Sequence, residues 1–122
     1  MRYVFRTNSI PALNDYIDAE RKSKYIAADM KNKATTIIMV DAMSQSRKQL
    51  NRLYDVTFYH ITPDNKMDAD NIYFRQKFIL DGFVKARILA NDGRKNVRHC
   101  SHFIRTIKGE SFVIVRFREI GG

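Results

Sequence analysis

The middle of the chain changes abruptly from the period of a strand to the period of a helix. From Tyr54 to Ile61 apolar and polar residues alternate, as in a half-buried strand. Turn-forming residues follow at 62–65, and Asp70 or Asn71 is then a natural N-cap for a helix that runs to about Ile88. A chain that must bury both a strand face and a helical stripe here belongs to the mixed α and β class.

The flanking sequence supplies the other elements. A strand is predicted at Arg2–Thr7, an amphipathic helix from Tyr25 to Met43, and strands at Val97–Ile107 and Ser111–Glu119 that form a closing hairpin. The polar stretch between residues 10 and 24 is predicted to be an irregular loop facing substrate. This order predicts one α+β domain spanning residues 1–122, a small mixed β-sheet with two main helices packed on one face.

The charge balance points to a polyanionic partner. The 122 residues include 22 Lys+Arg against 13 Asp+Glu, a net charge of +9, which favours nucleic acid over an anionic membrane surface. The longest apolar runs fall far short of the ~20 residues of a spanning helix, and no signal peptide is predicted. Cys100 is the only cysteine, so no internal disulfide can form, which fits a reducing cytosol.

An acidic segment stands out against this basic background. Between Thr62 and Asn71 there are three aspartates and one lysine; Asp68 and Asp70 precede the predicted helix, and Asp92 follows it. Carboxylates alone would repel a phosphodiester, but Mg²⁺ held by them reverses the local charge. Asp68, Asp70 and Asp92 are therefore predicted to bind Mg²⁺.

The candidate chemistry is metal-assisted phosphodiester hydrolysis. Two metal ions can stabilise the attacking and leaving oxygens, and holding them takes about three carboxylates. The sequence offers no Ser-His-Asp set, no Cys-His pair suited to covalent catalysis and no glycine-rich phosphate loop. On a helical wheel Asp70, Lys77 and Asp81 share one face, so Lys77 is a candidate electrostatic assistant.

Each of these features also has a purely structural interpretation. The aspartates could cap a helix or form a turn, and Lys77 with Asp81 could be a surface ion pair. Two basic groups could be solvated surface or could clamp phosphates: Arg21, Lys22 and Lys24, and Arg94, Lys95 and Arg98. A zinc site at 99–102 is disfavoured, because His99 and His102 would point to opposite faces of a strand.

Taken together, several motifs resemble the RusA family of Holliday junction resolvases. They are Asp68-x-Asp70-Asn71-Ile72, a helix with Lys77, Asp81 and Lys85-Ala86, the following Asn91-Asp92, and upstream Pro11-x-Leu13-Asn14-x-Tyr16. The chain departs from the family pattern at Phe74, where the basic helix residue often stands, so that Lys77 or Arg75 must take its role. It also has Arg87 where a glycine commonly follows Lys-Ala.

The resemblance implies a RusA-like fold and a cytoplasmic Mg²⁺-dependent homodimer, bacterial or phage-encoded, that cuts four-way DNA junctions symmetrically. Asp68, Asp70 and Asp92 take the acidic roles, Lys77 assists, and Mn²⁺ is expected to replace Mg²⁺. The residues expected to contact DNA are Asn14, Tyr16, Arg21, Lys22, Lys24, Asn71, Arg75, Arg94, Lys95 and Arg98.

Two other functions fit the same residues. A nuclease for flaps or replication forks would use the same acids on a different DNA geometry. A non-enzymatic DNA-binding module would use the basic surface alone, with the aspartates as caps. The dimer is expected because a four-way junction has approximate two-fold symmetry, with part of the apolar surface of the 70–88 helix as a subunit contact.

Overall fold

The structure, a computed structural model, describes residues 1–121 as a mixed α+β fold. In chain order its elements are β1 (Arg2–Arg6), α1 (Leu13–Lys22), α2 (Lys24–Gln45), β2 (Tyr54–Thr62), α3 (Ala69–Tyr73), α4 (Arg75–Lys85), β3 (Val97–Thr106) and β4 (Phe112–Glu119). Within these residues the strands form a four-stranded sheet, in which the order of neighbouring strands is β1-β4-β2-β3.

The pairing of the last two strands differs from the prediction. β4 is antiparallel to both β1 and β2, whereas β3 pairs in parallel with the other side of β2. The predicted closing hairpin is therefore wrong, because β2 lies between β3 and β4. The short link at 107–111 crosses the end of β2, two strand spacings or about 9.6 Å. Alternation in a sequence shows which residues share a face, but not which strands are neighbours.

The helices cover one face of this sheet. Burial alternates along β1, β2 and β4, and the buried residues of these strands join one core with the facing residues of α2 and α4. The predicted packing of two main helices on one face is confirmed. The core includes Tyr3, Phe5, Val56, Phe58, Val113, Val115 and Phe117 of the sheet, with Ala34, Ile38, Phe78, Ile79 and Phe83 of the helices.

The predicted loop at 10–24 is wrong, because most of it is α1. The Asp15 carboxylate accepts a hydrogen bond from the Ala12 backbone N–H at 3.0 Å, which stabilises the first turn. Ala12 and Ala19 are buried, and Tyr16 lies between them on the same side of the helix. The 12-16-19 spacing is the helical signal that the many polar residues concealed.

The predicted helix from 70 to 88 is two helices, and its cap lies earlier than expected. α3 and α4 meet at Phe74, and the N-cap of α3 is Asp68 rather than Asp70 or Asn71. By contrast, α2 matches its predicted range closely; its N-cap Ser23 accepts a hydrogen bond from the Ile26 N–H at 3.0 Å.

The apolar sides of α4 are buried within the chain itself. Phe78, Ile79, Leu80 and Phe83 all belong to the core, so these residues are not available as a subunit contact. Gly82 explains how α4 packs so closely on α2: a Cβ at this position would lie 2.5 Å from Cγ2 of Ile38. A glycine inside a helix, which otherwise costs stability, is required here by the close packing.

The structure also bears on the membrane question. Within residues 1–121, every helix is too short or too polar to cross a bilayer.

Candidate active site

A cavity of about 490 Å³ lies where α3 and α4 meet β3. Three of the four residues predicted to act in catalysis line it, namely Asp70 of α3, Lys77 of α4 and Asp92 of the loop before β3. These residues come from three separate segments of the chain, and folding brings them together. The full lining is Asp70, Tyr73, Phe74, Gln76, Lys77, Leu80, Asp92 and His102.

The loop that carries Asp92 is anchored at its start by the end of α4. The Ile88 N–H donates to the Phe83 carbonyl at 3.1 Å and the Arg87 N–H to the Val84 carbonyl at 3.0 Å, which together form a Schellman motif. Arg87 has a φ of +59°, the left-handed conformation that usually selects glycine. The cap therefore forms even though this chain has Arg87 in the glycine position.

The loop is then held against the segment before β2. The Leu50 N–H donates to the Ile88 carbonyl at 2.7 Å, and Leu50 and Leu89 form an isolated bridge. Both leucines are buried. Their burial fixes where the chain leaves α4, and Asp92 follows three residues after Leu89 at the edge of the cavity.

Lys77 takes part in an ion pair and lines the cavity at the same time. Its Nζ lies 3.8 Å from Oδ2 of Asp81, and Lys31 approaches the same oxygen at 3.6 Å. Lys77, Asp81 and Asp92 also line a second cavity of about 370 Å³. The two interpretations of Lys77 are thus compatible, since Asp81 can hold the ammonium group at the boundary between the two cavities.

The carboxylates do not form a closed metal cage. Among residues 1–121, no three His, Cys, Asp or Glu side chains are grouped closely enough to hold one ion. Asp70 and Asp92 bring two carboxylates to one cavity, and Mg²⁺ is usually bound by one or two carboxylates together with waters and substrate phosphates. The donor set therefore fits a Mg²⁺ site that a phosphate completes.

Asp68 stands outside the lining of the cavity. It is the N-cap of α3, yet in the described chain its side chain makes no capping hydrogen bond. The carboxylate is exposed and not used by the helix, so the interpretation of Asp68 as a simple side-chain cap is not supported. Its role as a third ligand stays a prediction.

A chain of hydrogen bonds between side chains forms one wall of the cavity. Nε2 of His102 lies 2.6 Å from Oε1 of Gln76, and Nδ1 of His102 lies 2.9 Å from Nε2 of His60. Because Oε1 can only accept, Nε2 of His102 donates to Gln76. When His102 is neutral, its Nδ1 then accepts a hydrogen bond from Nε2 of His60. Tyr73 stacks on the His102 ring at 4.5 Å between centroids.

Burial keeps these histidines uncharged. The pKa of His60 is lowered to about 3, mainly by burial and further by the neighbouring His102 and Arg75. Burial also lowers the pKa of His102. The sequence alone indicates no role for His102 other than that of a disfavoured zinc ligand. The parallel pairing of β2 with β3 brings the two rings together, and the sequence alone does not show that pairing.

Four of the residues expected to contact DNA link α1 and the segment before it to α3 and α4. The buried Asn71 accepts a hydrogen bond from the Asn14 backbone N–H at 2.9 Å, and Arg75 donates from Nε to the Ile10 carbonyl at 3.0 Å. Tyr16 packs its ring against Phe74 and Phe78. The buried amide of Asn71 is therefore a structural link rather than a DNA contact.

The same geometry decides between the two basic residues of α4. Arg75 is outside the lining of the cavity and is half-buried, whereas Lys77 is exposed and lines it. Burial lowers the pKa of Arg75, with Asp15 opposing that effect. Lys77 is thus the better placed of the two to meet a phosphate.

Arg98 is bound elsewhere in the structure. It forms a two-point ion pair with Asp55, with Nε at 3.0 Å and Nη2 at 2.7 Å from the carboxylate oxygens, and Arg118 adds a contact at 3.2 Å. Arg98 therefore does not belong to one clamp with Arg94 and Lys95. The other basic candidates, which are exposed on the ends of α1 and α2 and on the Asp92 loop, are Arg21, Lys22, Lys24, Arg94 and Lys95.

Comparison with known proteins adds no relative to this picture. No protein-family model matches the chain, and no curated protein matches it. The function of this chain is therefore inferred from its geometry and from the motifs of its sequence.

Proposed function

We propose that this protein is a Mg²⁺-dependent endonuclease of branched DNA, with a four-way junction as its substrate and a homodimer as its working form. The observation that carries the proposal is the convergence of Asp70, Lys77 and Asp92 on one cavity. Two carboxylates and a flexible ammonium group around an open cavity suit a phosphodiester, and the net charge of +9 suits the rest of a DNA backbone.

Each residue has a distinct role in this proposal. Asp70 and Asp92 would hold Mg²⁺, with Asp68 as a further ligand from the same turn. A bound Mg²⁺ would supply an activated water and stabilisation of the charge that develops on the phosphate oxygens; Mn²⁺ is expected to substitute. Lys77 places its ammonium near the non-bridging phosphate oxygens, and Asp81 keeps it there when no DNA is bound.

The first prediction concerns the carboxylate. Asp70→Asn should abolish cutting and leave junction affinity equal or higher, because the change removes a negative charge that repels phosphate. Cutting is measured on labelled four-way, forked, flapped and linear duplexes, with and without Mg²⁺. Asp64→Asn is the matched control, an exposed aspartate that lies outside the cavity lining. Unchanged turnover in Asp70→Asn would show that the site is assigned wrongly.

The second prediction concerns the lysine. Lys77→Ala should lower the cleavage rate more than the affinity, because the ammonium acts on charge that develops during the reaction. Lys33→Ala is the control, since Lys33 forms a similar i,i+4 ion pair with Asp29 on α2, away from the cavity. Single-turnover rates and binding constants are measured together. A loss of affinity alone would make Lys77 a backbone contact.

The same cleavage assay distinguishes the related functions. Paired symmetric nicks on four-way junctions, together with a dimer in sedimentation, support the resolvase. Cutting confined to flaps or forks would support the other nuclease.

One observation favours a non-enzymatic DNA-binding module as the second candidate. Five basic residues of a chain with a net charge of +9 are exposed, and they suit DNA binding with or without a metal: Arg21, Lys22, Lys24, Arg94 and Lys95. Salt-sensitive binding to all four substrates, without cleavage in either Mg²⁺ or Mn²⁺, would support that function.

A further inference from the structure

The sheet has a second face, which no helix covers. The residues that alternate with the buried ones point to this side, and the strand register places them in rows across β1, β4, β2 and β3. One row is apolar, with Val4, Ile114, Tyr59 and Phe103 in neighbouring positions. We call this side of the sheet the open face.

Aromatic rings on this face are stacked and accessible. Tyr59 and Phe103 lie nearly parallel, with 16° between their planes and 5.6 Å between centroids. Phe103 is 57% exposed and Val4 is 44% exposed. Across four strands the row spans about 14 Å, three strand spacings. A four-stranded sheet with exposed aromatic side chains can stack two or three nucleic acid bases.

Arginines flank the apolar row on both sides. The neighbouring row on one side contains Arg6 and Arg105, and the neighbouring row on the other side contains Arg2 and Arg116. All four arginines are exposed. Asp55 is the only acidic residue on this face of the described sheet.

That one acid is already neutralised. Arg98 and Arg118 both pair with Asp55. The open face therefore offers apolar rings inside a border of positive charge.

We propose that the open face binds single-stranded DNA, with bases stacked on Phe103 and Tyr59 and phosphates on the flanking arginines. Stacking on aromatic rings inside a positive groove is how proteins bind unpaired strands without reading their sequence. Duplex DNA presents phosphates but keeps its bases stacked inside. The rings of Tyr59 and Phe103 in the apolar row can therefore stack on bases only where a strand is unpaired.

The charge of this face argues against a second copy as the occupant. In a two-fold dimer the same patch would lie on both subunits. Arginines of one copy would then face arginines of the other, with no acid free to offset them. A nucleic acid strand complements both the charge and the aromatic surface.

The open face is separate from the cavity at α3 and α4. Asp70, Asp92 and Lys77 are on the helix-covered side, and the sheet itself lies between the two surfaces. The inference goes beyond the proposed nuclease function and takes from it only the choice of DNA. Forks and flaps expose unpaired strands, whereas a four-way junction is fully base-paired until its centre is opened. Binding is measured without Mg²⁺, so that it does not depend on cleavage.

The test is fluorescence anisotropy with a labelled 15-nucleotide oligo(dT) in EDTA. Phe103→Ala should weaken binding by at least about fivefold, the lower end of what one stacked base contributes. Arg116→Ala should also weaken binding and reduce the slope of log affinity against log salt by about 0.7. Tyr25→Ala and Lys33→Ala, an exposed aromatic and an exposed lysine on α2, are the matched controls and should bind as the unaltered protein does.

Photocrosslinking locates the contact directly. An oligo(dT) that carries 5-iododeoxyuridine should crosslink to Tyr59 or Phe103, and mass spectrometry of the digested protein identifies the modified peptide. Crosslinks confined to α1 or to the Asp92 loop would overturn the proposal.

Sedimentation separates the DNA surface from a subunit interface. If Phe103→Ala turns a dimer into a monomer and leaves oligo(dT) affinity unchanged, the open face is an interface and the proposal is wrong. If no junction is ever cut but oligo(dT) binding follows the predicted pattern, the nuclease proposal fails and this one stands. If junctions are cut but Phe103→Ala and Tyr25→Ala bind oligo(dT) equally, only this proposal fails.

Discussion

The two faces of the sheet are built from the same four strands but from opposite kinds of residue. On the covered face, Tyr3, Phe5, Phe58 and Phe117 are buried among aromatic neighbours. On the open face, arginines border an accessible aromatic row. The covered face supplies the burial that stabilises the fold, whereas the open face keeps apolar and charged groups in solvent at some cost.

This difference separates stability from binding within one sheet. Groups on the covered face have their charge suppressed by burial, as His60 shows, whereas Asp55 on the open face keeps its charge through ion pairs. The changes in stability caused by mutations on the two faces should therefore differ in magnitude, in the pH range where they occur and in their sensitivity to salt.

The largest expected effect comes from truncating one phenylalanine on each face. Phe58→Ala should lower the free energy of unfolding by about 3–5 kcal/mol, because Phe58 is fully buried and its truncation leaves a cavity in the core. Phe103→Ala should cost less than about 1 kcal/mol, because the ring is already 57% exposed. Urea denaturation of both variants gives the comparison. Similar losses for the two variants would mean that the open face is covered in solution, by a second copy of the chain.

The second prediction concerns the pH dependence of the buried histidine. The pKa of His60 is lowered to about 3 in the folded chain, so the unfolded chain binds a proton below about pH 6.5 and the folded chain does not. Stability should therefore fall by up to about 1.4 kcal/mol per pH unit between pH 6.5 and pH 3. The shift in His102 has the same sign.

Urea denaturation between pH 7.5 and pH 4.5 measures this loss. His60→Gln should flatten the slope relative to the unaltered protein, since it removes one of the groups that become protonated on unfolding. His99→Gln, which removes an exposed histidine from the open face, is the control. A slope that is equally steep in His60→Gln would show that other groups cause the acid sensitivity.

The fold was predictable from sequence wherever one periodicity dominates. β2 and α2 match their predicted ranges closely, and the placement of helices on one face is confirmed. Strand order was not predictable, because β3 and β4 have the alternation of a hairpin and the contacts that place β2 between them are long-range. α1 was missed because its buried stripe consists of small or half-buried residues such as Ala12, Tyr16 and Ala19.

The candidate site was predictable in part, for a related reason. The spacing of Asp70 and Lys77 on one helical face survives the break at Phe74, and both residues line the cavity. The return of Asp92 to that cavity depends on the left-handed Arg87 and on the buried Leu89, and no pattern in the sequence indicates that either residue is an anchor. The histidine wall was missed because it depends on the parallel pairing of two distant strands.

The smallest expected effect concerns Asp55 on the open face. A hydrogen bond from Arg98, reinforced by Arg118, lowers the pKa of the Asp55 carboxyl. The stabilisation by this ion pair is therefore fully present above about pH 4, the ordinary pKa of an aspartate, and is lost as the pH falls through the lower value in the folded chain. Asp55→Asn should lower the melting temperature at pH 7 and should weaken the further loss on acidification.

The Asp55 ion pair on the open face and the buried His60 on the covered face should respond differently to salt. The side chains of Arg98 and Arg118 are 52% and 66% exposed. Added salt should therefore reduce the difference in melting temperature between Asp55→Asn and the unaltered protein. The acid sensitivity due to the buried His60 should persist in high salt. Asp29→Asn, which breaks an exposed pair with Lys33 on α2, is the control for a general effect of removing a surface charge. Melting curves at pH 7 and pH 3, each at low and high salt, make the measurement. If the difference in melting temperature between Asp55→Asn and the unaltered protein does not change with salt, the ion pair of Asp55 with Arg98 and Arg118 is shielded from solvent. The open face then cannot be the accessible, charged surface on which DNA binding depends.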